Sequence, residues 1–127
     1  MGIRFEKDTI LNWINEMGKY LRLLVERYDA FDKEQEVFDC EKGYKDFFQK
    51  ERSFFKEADE VELEGFAKEL QIEQVRPLAQ LLLYDGLMSE DKQLLSKAKF
   101  LLEWNMKKTG AFSFEDFEFL SKIDKKL

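Results

Sequence analysis

The sequence predicts an all-α protein of about six helices. Three observations carry this. Apolar residues recur at spacings of three and four along most of the 127 residues, and period-two alternation is nearly absent. Glycine and proline, the usual breakers, number only six and one. Capping pairs also stand where helices would open, namely Asp32 with Gln35, Asp59 with Glu62, and Ser113 with Asp116.

The first helix is expected to start at a cap on Asp8 and run to Tyr28. Ile10, Ile14, Met17, Leu21, Leu24 and Tyr28 form one stripe along it, widened by Trp13, Tyr20 and Val25. A second helix follows the Asp32–Gln35 pair, with Val37, Cys40, Tyr44 and Phe47 on one face and Gly43 as a kink or break. The aromatic stretch Phe47-Phe48 to Phe54-Phe55 is expected to break at Ser53. Asp59 opens a third, short helix that turns Leu63, Phe66, Ala67 and Leu70 inward.

Pro77 is expected in the first turn of a fourth helix, where a missing N–H costs nothing. That helix carries Val75, Leu78, Ala79 and Leu82 inward and stops near Asp85-Gly86, with Gly86 as its C-cap. Ser89-Glu90-Asp91 opens a fifth helix that ends at Lys107-Lys108 before Thr109 and Gly110. Its apolar arc covers about half the circumference, which suits a helix touching several neighbours. Ser113 and Asp116 open the last helix, with Phe112 and Phe117 at hydrophobic-staple positions.

A hydrophobic fraction of 44% and thirteen phenylalanines are enough for one folded domain over residues 1–127. Residues 1–58 read as its N-terminal helices and 59–127 as helical hairpins.

Val75, Leu78-Ala79 and Leu82, with Ala98 and Leu102 on the next helix, resemble the large–small pattern of a tetratricopeptide-type helical hairpin. Asn105 stands where that motif has a small residue, and Gly110 where it usually has proline. The turn expected at Asp85 to Asp91 is about seven residues longer than the motif's. The layout as a whole is similar to uncharacterised bacterial all-helical proteins. The resemblance implies a helical-repeat fold and a bias toward binding.

The chain has no histidine and one cysteine, Cys40. Neither the common neutral-pH proton shuttle nor the commonest transition-metal ligand is present. The sequence contains no calcium-loop or phosphate-loop motif. The expectation is therefore a non-enzyme with no metal and no cofactor. A net charge of −6 disfavours nucleic acid and anionic membranes. The N-terminus lacks a secretory apolar region, and the longest apolar run, Leu81-Leu82-Leu83-Tyr84, is too short to span a bilayer. A cytoplasmic location is expected.

These exclusions leave a non-catalytic protein–protein interaction module as the leading reading. Arg76, Gln80 and Tyr84 face away from the core stripe of the fourth helix and are expected to bind a protein or peptide, with Lys107 and Lys108 as a basic rim. The alternative is a small acidic regulatory or immunity-type protein that neutralises a basic partner through the carboxylate-rich stretch from Glu57 to Glu69. The long stripe of the first helix adds the expectation of a homodimer through that helix.

Overall fold

The computed structural model describes residues 7–29, 40–111 and 113–127. Every regular element in them is a helix. In chain order these are α1 (Lys7–Asp29), α2 (Cys40–Phe48), α3 (Arg52–Glu57), α4 (Glu60–Glu69), α5 (Ile72–Ser89), α6 (Lys92–Thr109) and α7 (Phe114–Lys126). The expected all-α class is observed, with one helix more than expected because the aromatic stretch forms its own helix, α3. The Asp32–Gln35 pair and the Phe112 half of the staple lie outside the described residues.

The stripe of α1 turns inward. Trp13, Met17, Leu21 and Leu24 are buried, while Ile10, Ile14 and Tyr28 are half-buried. They pack on α5 and α2, and the Trp13 Nε1–H donates to the Phe47 carbonyl at 3.1 Å. Leu11 and Leu23 are exposed but twelve residues apart, about 120° around the helix, so they form no continuous patch. The apolar surplus behind the helix-one dimer expectation is thus largely spent in the core.

Helix α1 starts at Lys7, so Asp8 sits inside its first turn rather than before it. Gly43 neither kinks nor breaks α2. A Cβ there would lie 2.5 Å from the Tyr20 hydroxyl oxygen, so its role is to admit the Tyr20 ring. The break falls at Gln49, in the left-handed region with φ 54°, and Ser53 is inside α3.

Helix α4 starts as expected. The Asp59 carboxylate accepts from the Glu62 N–H at 2.8 Å, and Leu63, Phe66, Ala67 and Leu70 are buried. Helix α5 begins earlier and ends later than its apolar spacing suggests. Pro77 is its sixth residue, past the first turn, and Gly86 lies inside the helix rather than capping it. The C-cap is Glu90, left-handed with φ 55°. The connection to α6 is therefore only Glu90 and Asp91, and Asp91 caps α6 by accepting from the N–H groups of Gln93 and Leu94. So short a link makes α5 and α6 an antiparallel hairpin, and the expected long turn does not exist.

Gly86 has a packing role at that hairpin. A Cβ on it would stand 2.9 Å from Leu95 Cγ and 3.1 Å from the Leu95 backbone nitrogen. Alanine would gain about 1 kcal/mol in helix propensity. Overpacking costs about 1–3 kcal/mol, and here backbone as well as side chain must move. Gly86→Ala is expected to destabilise, read as a lower urea midpoint at unchanged m-value. A higher midpoint would mean that α6 shifts away at no cost.

One core joins all seven helices. Helix α5 is its axis, touching α1, α2, α6 and α7, and α6 in turn touches α3, α4, α5 and α7. Ala79 and Ala98 are both fully buried. The broad apolar arc read on α6 corresponds to this central position.

Candidate interaction surface

Four of the five residues singled out in the sequence retain some exposure; Tyr84 does not. Its ring is 4% exposed, set edge-on to Tyr28 at 5.4 Å and to Phe119 at 6.3 Å between centroids. The Lys122 ammonium lies 5.5 Å from it and 5.7 Å from Tyr28. Burial pushes the Tyr84 phenol above its usual pKa, against the pull of Lys122. The expectation of an exposed Tyr84 is corrected: α1 and α7 cover it.

Arg76 reaches α7 as well. Its Nε–H donates to Asp116 Oδ1 at 2.8 Å, and its Nη2 donates to Glu115 Oε1 at 2.6 Å and Ser113 Oγ at 3.4 Å. Its guanidinium carbon is 5.5 Å from the Phe119 ring centroid. Burial opposes its charge, but hydrogen bonds to Asp116 and Glu115 prevail and raise its pKa. Arg76 is thus committed within the chain. It also edges an open cleft of about 580 Å³ whose other walls include Asn105, Thr109, Ala111 and Ser113. Half-buried Gln80 lines the adjoining shallow cleft beside Pro77. Lys107 and Lys108 are exposed and line neither; Lys108 Nζ sits 5.4 Å from the Trp104 ring centroid. The structure brings Arg76, Gln80 and Tyr84 onto one α5 face and leaves the two lysines apart from it.

Ser113 and Asp116 form the expected reciprocal capping box. Ser113 Oγ accepts from the Asp116 N–H at 3.2 Å, and Asp116 Oδ2 accepts from the Ser113 N–H at 2.9 Å. Burial alone would raise the Asp116 pKa; the Ser113 N–H and Arg76 outweigh it and hold the carboxyl below its ordinary value. Asp91 behaves alike: burial is overcome by Lys56 and the N–H groups of Leu94 and Gln93. A depressed folded pKa gives stability that is present above the unfolded value and lost as pH falls through the folded one. Stability is therefore expected to decline once pH drops below about 4. Asp116→Asn should flatten that acid limb in urea midpoints recorded from about pH 6 to 2. An unaltered limb would show that Asp116 does not contribute to it.

Two features escape the sequence reading. One is a buried network: Asp85 accepts from the Tyr44 hydroxyl at 2.6 Å and from Arg52 Nε at 2.8 Å. A lone carboxylate inside the run Leu81 to Leu87 was the available signal. The other is on α7. Nine phenylalanines fall among the residues with described side chains, and seven are buried or half-buried. The remaining two, Phe114 at 80% and Phe117 at 54% exposure, are three residues apart on one helix.

Compared with family models, curated proteins and solved structures, the chain matches none. Its function must be argued from its own surface. Among the described residues, no helix is long and apolar enough to cross a membrane, and no group of three or more acidic or cysteine side chains is placed to hold a metal ion.

Proposed function

We propose that this chain is a non-catalytic protein–protein interaction module that contacts its partner with the outer ridge of α7, led by Phe114 and Phe117. The observation that carries this is their joint exposure in a chain whose other phenylalanines with described side chains are buried or half-buried. Single exposed apolar residues are ordinary, whereas neighbouring large aromatics mark contact surfaces. At a spacing of three they lie side by side on the helix. The composition agrees, since binding needs no histidine, metal or cofactor. A chain with one buried thiol suits the reducing cytoplasm.

The test is capture from the native cell followed by mass spectrometry, with wild type and a Phe114→Ser/Phe117→Ser double variant. Phe114→Ser alone should leave stability unchanged within about 0.5 kcal/mol, because that residue is 80% exposed and outside the core, and it serves as the control for any loss of stability in the double variant. Losing an interface hot spot of about 2 kcal/mol weakens capture roughly thirtyfold. Equal capture of the same partner by both proteins would overturn the assignment of this surface.

A second reading has its own observation. The outer face of α4 carries exposed Glu60, Glu62 and Glu69 around Val61, which is 81% exposed. Lys68 is the helix's single cation, and it pairs with Glu64 at 3.2 Å. This face suits a basic partner, and such binding weakens steeply with salt. Binding through the α7 phenylalanines should tolerate salt.

A further inference from the structure

The α5 face whose composition suggested recognition is occupied within the chain by α7. Arg76 is bonded to Asp116 and Glu115, and Tyr84 lies under Phe119 and Lys122. How firmly α7 is held decides whether that face is permanently internal.

Its attachment is slighter than that of α5, the axis of the core. Eleven of the eighteen residues of α5 are buried. In the thirteen residues of α7 only Asp116, Phe119 and Ile123 are. Burying two apolar side chains, at about 1.5–3 kcal/mol each, is a modest hold for a helix too short to be stable alone. Half-buried Leu120 adds a third apolar contact, and the other ties are polar: Arg76 to Asp116 and Glu115, Lys99 to Asp124 at 3.0 Å, and Lys122 over the two tyrosines. The Lys99–Asp124 and Arg76–Glu115 pairs are substantially exposed and hold weakly. Helix α7 also follows Gly110, whose left-handed φ of 68° ends α6 without a side chain to clash.

We infer that α7 is a releasable strap, latched at its N-terminal end by Arg76 on Asp116 and Glu115, that opens as a unit while α1–α6 stay folded and so frees Arg76 and uncovers the side of Tyr84 that Phe119 and Lys122 occupy. Opening by such a unit below the global unfolding free energy is the ordinary behaviour of segments with few buried contacts. The strap gates Tyr84, which the closed chain keeps buried beside the part-exposed Arg76 and Gln80. This inference goes beyond the reading of Phe114 and Phe117 and stands whether or not they bind a partner.

Amide hydrogen exchange on the full chain tests it without knowledge of any partner. The amides of residues 119–123, on the buried turn of α7 and short of its C-terminal end, should exchange at least about tenfold faster than those of residues 78–84 in α5. Arg76→Gln breaks the latch and should speed exchange of α7 by about a further tenfold, equivalent to about 1.4 kcal/mol, with α5 and α6 unchanged. Glu115→Gln removes only an exposed partner and should give a smaller acceleration, about two- to threefold, confined to α7. It supplies the readout should Arg76→Gln fail to fold. Equal protection of α7 and α5 in the wild type would overturn the proposal. So would acceleration spread evenly over all helices in either variant, or none in both.

Discussion

Phe55→Ala is expected to lower stability by about 3–5 kcal/mol. The ring is fully buried, with Tyr44, Phe54 and Phe66 at 5.1, 5.2 and 5.4 Å and Phe48 at 6.4 Å between centroids. Three of these four contacts are edge-on, the arrangement ring quadrupoles favour. Phe55 thereby ties α2 and α4 to α3, a helix of only six residues. A helix that short has no stability of its own and stays in place because its ring is anchored. Truncation leaves a cavity walled by rigid rings, which collapse poorly, so the upper half of the range applies. Phe55→Leu keeps most of the volume and should cost about half as much. Urea unfolding of both variants measures this. A loss below about 1 kcal/mol for Phe55→Ala would show that the cluster closes over the gap.

What the sequence made legible depended on the range of the interactions involved. Caps are local, and the caps at Asp59 and Ser113 open their helices as read, while the start at Ser89-Glu90-Asp91 narrows to Asp91 alone. The stripe of α1 was legible because that helix meets its neighbours on one side. Helix α5 departs from its sequence expectation at both ends and on one face. Pro77 and Gly86 look like boundary residues, but the proline is tolerated in the second turn and the glycine serves the approach of Leu95. Tyr84 was assigned to solvent by its angle from Leu78 and Leu82, an argument that assumes one apolar face. Helices surround its stretch from Leu81 to Leu87 instead, and what buries Tyr84 is Tyr28, 56 residues before it, and Phe119, 35 after it. The unbroken run Leu81-Leu82-Leu83-Tyr84, with Leu87 one turn on, was the available warning. A helix apolar all round is buried all round. Phe114 and Phe117 were illegible for the converse reason: spacing does not reveal that more than half the surface of each residue stays exposed.

Arg52→Ala should be nearly as damaging as Phe55→Ala, at about 3 kcal/mol, by a different route. The Asp85 carboxylate is 4% exposed and sits among leucines. Its donors are the Tyr44 hydroxyl at 2.6 Å and Arg52, through Nε at 2.8 Å and Nη2 at 3.2 Å. Burial, reinforced by Asp85, keeps the Tyr44 phenol protonated well above its usual range, so it donates at every ordinary pH. Among the described residues Arg52 is the cation paired with it: its guanidinium spans from Asp85 to Ser89 Oγ at 3.3 Å, pinning α3 to the end of α5. Removing it strands a buried carboxylate, which typically costs 3–5 kcal/mol. The arginine side chain is 31% exposed, so water partly replaces it and the lower figure applies. The double variant Arg52→Met/Asp85→Leu removes both charges while filling their space, and it should recover most of the loss. The urea midpoints of the two proteins decide between charge and packing. If the double variant is no more stable than Arg52→Ala, the pair acts through its shape and hydrogen bonds rather than through the stranded charge.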